Sequence, residues 1–226
     1  MSRGDPMLQV FTGFDQREAA GWHCFVQSVV RHAREPVSIC ALHGEQRDGT
    51  NAFTYARFLV PYLCSFRGTA VFLDGADMLL RADINDLAAL ADPTKAVQVV
   101  KHKYSTKHPR KYVGTDMEAP NDNYPRKNWS SVVIWNCAHY GNRQLTPDYI
   151  AAHDGKHLHR FAWLTDDRIG SLSLEWNWLV DEYGENTYAK LLHWTAGIPA
   201  FPHYSRATHS NEWHETRKEL NSPCPM

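Results

Sequence analysis

The chain lacks a Cys-x-x-Cys pair, and its five cysteines are an odd number. Neither a disulfide framework nor a thiolate metal knuckle is the reading; Cys24, Cys40, Cys64 and Cys137 lie in apolar segments and are expected to be reduced and buried. No apolar stretch is long enough to span a bilayer. Met1 to Pro6 is polar with no apolar run behind it, so a signal peptide is not expected, and the expectation is a cytoplasmic protein, with attachment to a membrane surface left open. Charge of one sign is also missing. Lys and Arg total 24 against 25 Asp and Glu, which gives no global field to draw the chain to nucleic acid or an anionic membrane. Internal repeats and low-complexity tracts are absent. What is present is 43% hydrophobic residues, enough for a sizeable core, with eight Trp and ten Tyr. The length of 226 residues suits one domain, with a core over about 8–200 and a polar C-terminal surface segment, 201–226.

Apolar runs alternate with helical spacing along the first hundred residues. Leu8 to Phe14 reads as a strand. Asp15 and Glu18 then have capping-box spacing before a helix carrying Trp22, Phe25, Val26, Val29 and Val30. Val37 to Leu42 is a second strand, and the polar loop Gly44 to Asn51 leads to a helix with Tyr55, Phe58, Leu59 and Leu63. The next strand ends at Asp74, Asp83 opens a further helix, and Ala96 to Val100 is a short strand. This order implies an α/β fold: a mostly parallel, Rossmann-like central sheet flanked by helices. From Lys101 to Asn128 the chain is polar and irregular. Strand Val132 to Asn136, a helix start at Thr146-Pro147 and short pieces at Phe161 to Leu164, Trp176 to Val180 and Lys190 to Trp194 follow.

The most informative segment is Ala70-Val71-Phe72-Leu73-Asp74-Gly75-Ala76-Asp77-Met78-Leu79-Leu80, an apolar run interrupted by two aspartates. Like charges this close repel, and a cation removes the repulsion. Ligands in open α/β sheets sit beyond the carboxyl ends of the strands. A divalent metal holding a phosphorylated ligand is therefore the first hypothesis. Residues i and i+3 of a regular strand face opposite sides, so Asp74 and Asp77 meet one ion only if the chain turns at Gly75. The alternative is that one Asp binds metal and the other caps a turn.

A strand with this acidic end, following a Tyr-x-Arg helix (Thr54-Tyr55-Ala56-Arg57-Phe58), resembles the GT-A glycosyltransferases, most closely family 8, the glycogenin and lipopolysaccharide galactosyltransferase group. Further segments match in order. Phe11-Thr12-Gly13-Phe14-Asp15 takes the place of that family's nucleotide-binding first strand. Asn128 to Asn136 is similar to its Asn-x-Gly-Val-Leu-Leu-Ile-Asn stretch, Leu164-Thr165-Asp166-Asp167 to its acidic donor-sugar loop, Trp176-Asn177 to its later Trp-Asn, and His193-Trp194-Thr195-Ala196-Gly197 to its metal-binding end. Three departures stand out: the acidic pair has one extra residue, Ser130 replaces a Gly, and Ile198-Pro199-Ala200-Phe201 replaces the lysine-tryptophan end whose lysine contacts the diphosphate.

The resemblance implies a GT-A (nucleotide-diphospho-sugar transferase) fold and a metal-dependent, retaining transfer of sugar from a nucleotide-sugar, UDP-linked, to an acceptor. It implies Mn²⁺ or Mg²⁺ on Asp74, Asp77 and His193. Arg57 becomes a cation on the diphosphate, against the alternative of a surface helix arginine. Thr12, Phe14, Asp15, Tyr55, Asn128 and Ser130 are candidate donor contacts, although capping alone accounts for Asp15 and turn chemistry for Asn128 and Ser130. Asp166 and Asp167 are the catalytic candidates, bonding sugar hydroxyls or facing the anomeric carbon, against a helix cap before Arg168. Lys101, Lys103, Lys107, Arg110, Lys111, Arg126 and Lys127, interleaved with Tyr104, Tyr112, Tyr124 and Trp129, read as a solvated loop or as a dock for an acceptor glycan, a lipid-linked saccharide or modified DNA. His153, His157 and His159 lack zinc spacing and are expected to face solvent. Two rival readings remain: a non-enzymatic glycan- or nucleic-acid-binding module, and a haloacid dehalogenase-type phosphatase, whose aspartates belong near the first strand.

Overall fold

The computed structural model describes residues 7–47 and 51–220. Met1 to Pro6, the end of the loop at 48–50, and the last residues with Cys224 lie outside the described residues. In chain order the strands are β1 (Leu8–Gly13), β2 (Val37–Leu42), β3 (Thr69–Leu73), β4 (Met78–Leu80), β5 (Val97–Val100), β6 (Arg110–Lys111), β7 (Ala119–Pro120), β8 (Val132–Asn136), β9 (Ile169–Leu172), β10 (Trp178–Leu179) and β11 (Leu191–His193). The helices are α1 (Ala19–His32), α2 (Val60–Leu63), α3 (Ile84–Ala88), α4 (Pro147–Ala152), α5 (Gly155–His159), α6 (Val180–Tyr183) and α7 (Ser210–Leu220).

The central sheet has the order β2-β1-β3-β8-β5-β9. β1 pairs parallel with β2 and β3, and β5 with β9, while β8 runs antiparallel to both β3 and β5. β8 is the exception because it is reached through the long irregular segment rather than a crossover helix. The central strands β3 and β8 read as nearly continuous apolar runs because both faces are covered. Val10, Val71, Leu73 and Ile134 pack with Phe25 and Val29 of α1, and Phe11, Phe72, Val133 and Trp135 form the other core. A second sheet, β10-β11-β4, shares a third cluster with Cys24 and Trp213. The expected C-terminal surface helix exists as α7, but Trp213 on it is buried.

Asp15 caps the first helical turn, accepting from the Arg17 backbone N–H at 3.0 Å. The capping box is half formed: Glu18 turns inward and its Oε2 accepts from Asn51 Nδ2 at 2.7 Å. Asp83 caps α3 through the Asn85 N–H at 2.9 Å. The short piece Phe161 to Leu164 is a turn, with Phe161 at φ +51° and its ring buried. Strand β9, which the sequence did not announce, lies just beyond, its signal broken by Gly170. Cys40 is exposed, because β2 is an edge strand.

Candidate active site

The predicted turn at Gly75 is where the chain changes sheets. β3 closes at Leu73 in the central sheet and β4 opens at Met78 in the second. Gly75 has φ +85°, and the Met78 N–H donates to its carbonyl at 2.9 Å. A side chain there would meet Thr12 Oγ1 at 1.9 Å from the Cβ. Helix α1 also lies flush on the turn, since a Cβ on Gly21 would fall 2.0 Å from the Ala76 carbonyl oxygen. The acids are thus held from two sides.

The turn brings Asp74 and Asp77 together despite the extra residue between them. His193, at the end of β11, sits opposite Met78 in the antiparallel β4–β11 pair. The Trp194 N–H donates to the Asp77 carbonyl at 2.9 Å and fixes the crossing. One ligand atom from each of Asp74, Asp77 and His193 lies within 4.8 Å of the others. His193 Nε2 is 3.1 Å from Asp77 Oδ2, and its Nδ1 is 2.8 Å from Asn177 Oδ1. The Asn177 amide nitrogen donates to Ser131 Oγ at 2.8 Å, so its oxygen faces the histidine and Nδ1 carries the proton. Nε2 therefore points at the carboxylates, the tautomer a metal-ligating imidazole needs.

Burial pushes the Asp74 carboxyl up to about 6, against the pull of Arg57 and with the help of Asp77. Burial works to lower His193, but Asp77 and Asp74 outweigh it and hold the imidazole above its ordinary range. Asp77 Oδ1 is buried with no hydrogen-bond partner. An orphaned carboxylate oxygen beside a second carboxylate and a correctly oriented imidazole fits a divalent cation of the Mn²⁺ or Mg²⁺ type.

Arg57 is buried, not a surface arginine. Its Nη1 lies 2.5 Å from Asp74 Oδ1 and donates to the Ser130 carbonyl at 3.0 Å, while Nε donates to the Thr54 carbonyl at 3.1 Å. These groups open on a cavity of about 300 Å³ that Asn128, Ser130, His193 and both aspartates also line.

The remaining sequence candidates lie elsewhere. Thr12 is packed beneath Gly75. Phe14 meets Trp22 edge-on at 5.5 Å. Asp15 is held by the Arg17 guanidinium and by the Ala52 N–H at 3.0 Å, contacts that outweigh its burial and bring its pKa down to about 2. Tyr55 is buried with the Arg47 guanidinium 4.0 Å above its ring. Asp166 and Asp167 are on an exposed turn before β9, with side chains 84% and 68% exposed; Asp166 pairs with Arg126, and neither lines the cavity.

Three residues take up places in the site that sequence reasoning did not give them. Lys111 lines the cavity; burial lowers its pKa, opposed by Asp77, Glu18 and Asp74. Asn177 orients His193. His159, expected to face solvent, instead lines the cavity with its Nδ1 2.7 Å from Ser130 Oγ. No local pattern marks it, because its partner is 29 residues away. The basic segment is largely engaged in holding itself. Lys101 bonds the Ile169 carbonyl at 2.7 Å, Lys107 that of Glu182 at 2.7 Å, Arg110 pairs with Glu118 at 2.6 Å, and Lys127 bonds Asn121 Oδ1 at 2.6 Å. Tyr112 is buried and Tyr104 accepts from Asn128 Nδ2 at 2.8 Å, so neither offers an open ring face, whereas Tyr124 is exposed at the cavity.

No protein-family profile matches the chain. Among solved structures it is similar to the galactosyltransferase LgtC in complex with donor and acceptor sugar analogs, with a TM-score of 0.64 at 11% identity, covering 96% of this chain and 98% of that one. The apo glycosyltransferase GlyE of Streptococcus pneumoniae TIGR4 gives 0.63 at 16% identity, covering 94% and 60%. The bifunctional glycosyltransferase WbbM gives 0.60 at 18% identity over 99% of this chain, which spans about half (51%) of that protein. These likenesses show a glycosyltransferase fold of the GT-A type. No helix among the described residues is long and apolar enough to cross a membrane. Protein CDI of Arabidopsis thaliana is 34% identical over 231 residues, covering 95% of this chain and 87% of that protein. The chain belongs to the family of Protein CDI.

Proposed function

We propose that the chain is a metal-dependent glycosyltransferase that moves a sugar from a nucleotide-sugar donor, UDP-linked, to a glycan or lipid-linked saccharide acceptor in the cytoplasm. The observation that carries this reading is the convergence of Asp74, Asp77 and His193 at the rim of the sheet, beside a buried arginine, in one cavity. Asp74, Asp77 and His193 would hold the cation, which when bound stabilises the charge of a departing nucleoside diphosphate. Arg57 adds a positive group already fixed by two carbonyls, so little reorganisation accompanies its use. Lys111 adds a second cation from another part of the chain and offsets the missing C-terminal lysine.

Among the described residues, Asp74 and Asp77 are the acids lining the cavity. With both committed to the cation, no further carboxylate is placed to bond the sugar covalently. This supports attack by the acceptor on the face the diphosphate leaves, and hence the retention that the resemblance implies. The engagement of the basic segment argues against an anionic acceptor such as DNA. The fold removes the phosphatase alternative.

Calorimetry of UDP with and without Mn²⁺, followed by nucleotide-sugar hydrolysis, tests the reading. Binding should require Mn²⁺, and Asp77→Ala should abolish both metal-dependent binding and turnover. Glycan binding that ignores the metal, with no nucleotide binding, would favour a non-enzymatic module instead.

A further inference from the structure

One stretch of the cavity lining is polar but carries no charge. Ser130 sits just before β8 and His159 ends α5, and the two are joined by the 2.7 Å bond between Oγ and Nδ1. The ring is braced edge-on by buried Phe58 at 5.2 Å. No hydrogen bond from a described residue occupies its Nε2. The same Ser130 accepts Arg57 on its carbonyl. A chain of contacts thus links His193 and Asp77, with Asp74 beside them, through Arg57 to Ser130 and His159. A ligand whose diphosphate lay at the acids and the guanidinium would have its adjoining group in the same cavity that His159 lines.

We propose that His159, oriented by the Ser130 hydroxyl, binds the hydroxyls of a neutral donor sugar and decides which sugar the chain accepts; this rests on the transferase reading above. The chemistry matches. A neutral imidazole and a hydroxyl offer single donors and acceptors that suit sugar hydroxyls, whereas a phosphate or uronate would call for a cation. Burial, with Arg57 and Lys111 nearby, holds the His159 ring well below its ordinary range, so it stays uncharged. The sequence departs from the family resemblance at this point, since Ser130 stands where a Gly is usual, and the hydroxyl it adds is the one that holds the ring.

The test is calorimetry on the full chain with Mn²⁺, using UDP, UDP-glucose, UDP-galactose, UDP-N-acetylglucosamine and UDP-glucuronic acid as probes. The wild-type chain is expected to bind at least one neutral UDP-sugar more tightly than UDP and than UDP-glucuronic acid. In His159→Ala that neutral sugar should lose about tenfold in affinity, while UDP changes by less than about twofold. His159→Gln, whose amide reaches the position of Nε2, should recover part of the loss, and His159→Asn, which reaches only Nδ1, should not. Equal weakening of UDP and UDP-sugar would assign this wall to the nucleoside or to folding and overturn the proposal. Unchanged sugar affinity in His159→Ala, or a wild-type preference for UDP-glucuronic acid or for bare UDP, overturns it as well. A wild-type chain that binds no nucleotide with Mn²⁺ brings down the transferase reading itself, and this proposal with it.

Discussion

Replacing Asn177 by leucine tests whether the metal site depends on a tautomer set from behind. Asn177 is fully buried and touches no solvent. It accepts from His193 Nδ1 at 2.8 Å and donates to Ser131 Oγ at 2.8 Å. Leucine has nearly the same volume but neither polar atom. Ser131 keeps its bond to the Asn128 carbonyl at 2.7 Å, so the main orphan is the His193 Nδ1–H. One buried unsatisfied donor costs about 1–3 kcal/mol. For a domain of 226 residues, at about 2–4 °C per kcal/mol, that lowers the melting temperature by roughly 2–12 °C. The sharper effect falls on the cation: losing the partner that orients a ligating imidazole weakens metal binding by about 10–100-fold. Manganese titration calorimetry of wild type, Asn177→Leu and Asn177→Asp reads this directly. The aspartate can still accept from Nδ1 and should retain most of the affinity. A leucine variant that is folded and holds Mn²⁺ as tightly as wild type would refute the reasoning.

Gly75→Ala should destabilise the fold by about 3 kcal/mol, from the left-handed backbone and the collision with Thr12 Oγ1, and Thr12→Ala in the same chain should recover part of it. Chemical denaturation gives both numbers, and a loss under about 0.5 kcal/mol contradicts the account. Asp15 has a folded pKa of about 2 against an ordinary 3.8, so its contribution is complete above pH 4 and is lost as pH falls from about 4 toward 2. With Arg17 a third exposed, Asp15→Asn should cost about 1–2 kcal/mol at pH 7 and progressively less below pH 4; a gap that ignores pH would count against the pairing. Cys40 should react with a thiol reagent in the native protein while Cys24 and Cys137 remain protected, as mass mapping of the labelled cysteines will report.

The first hundred residues were legible because each element there is punctuated locally. Asp15 and Asp83 announce helix starts, and β1 to β3 are mostly apolar runs bounded by turns. Gly75 was legible as well, since two acids three apart have little use on a straight strand. Asp166 and Asp167 had the composition of a sugar-binding pair, but composition says nothing about which side of β9 a turn faces, and theirs faces solvent. His159 and Lys111 reached the cavity by long-range packing that leaves no local periodicity. The basic segment misled for a related reason: a run of cations looks the same whether it awaits an anion or ties its own carbonyls together, as Lys101, Lys107 and Lys127 do.

Asp74 follows the last residue of β3, Asp77 leads into β4, and His193, 116 positions after Asp77, ends β11 of the second sheet. During synthesis the acids emerge first and wait without their imidazole until β11 has docked against β4. If the proposed cation binds there, its capture is a privilege of the finished molecule: a chain cut short before β11 carries the carboxylates but cannot complete the trio.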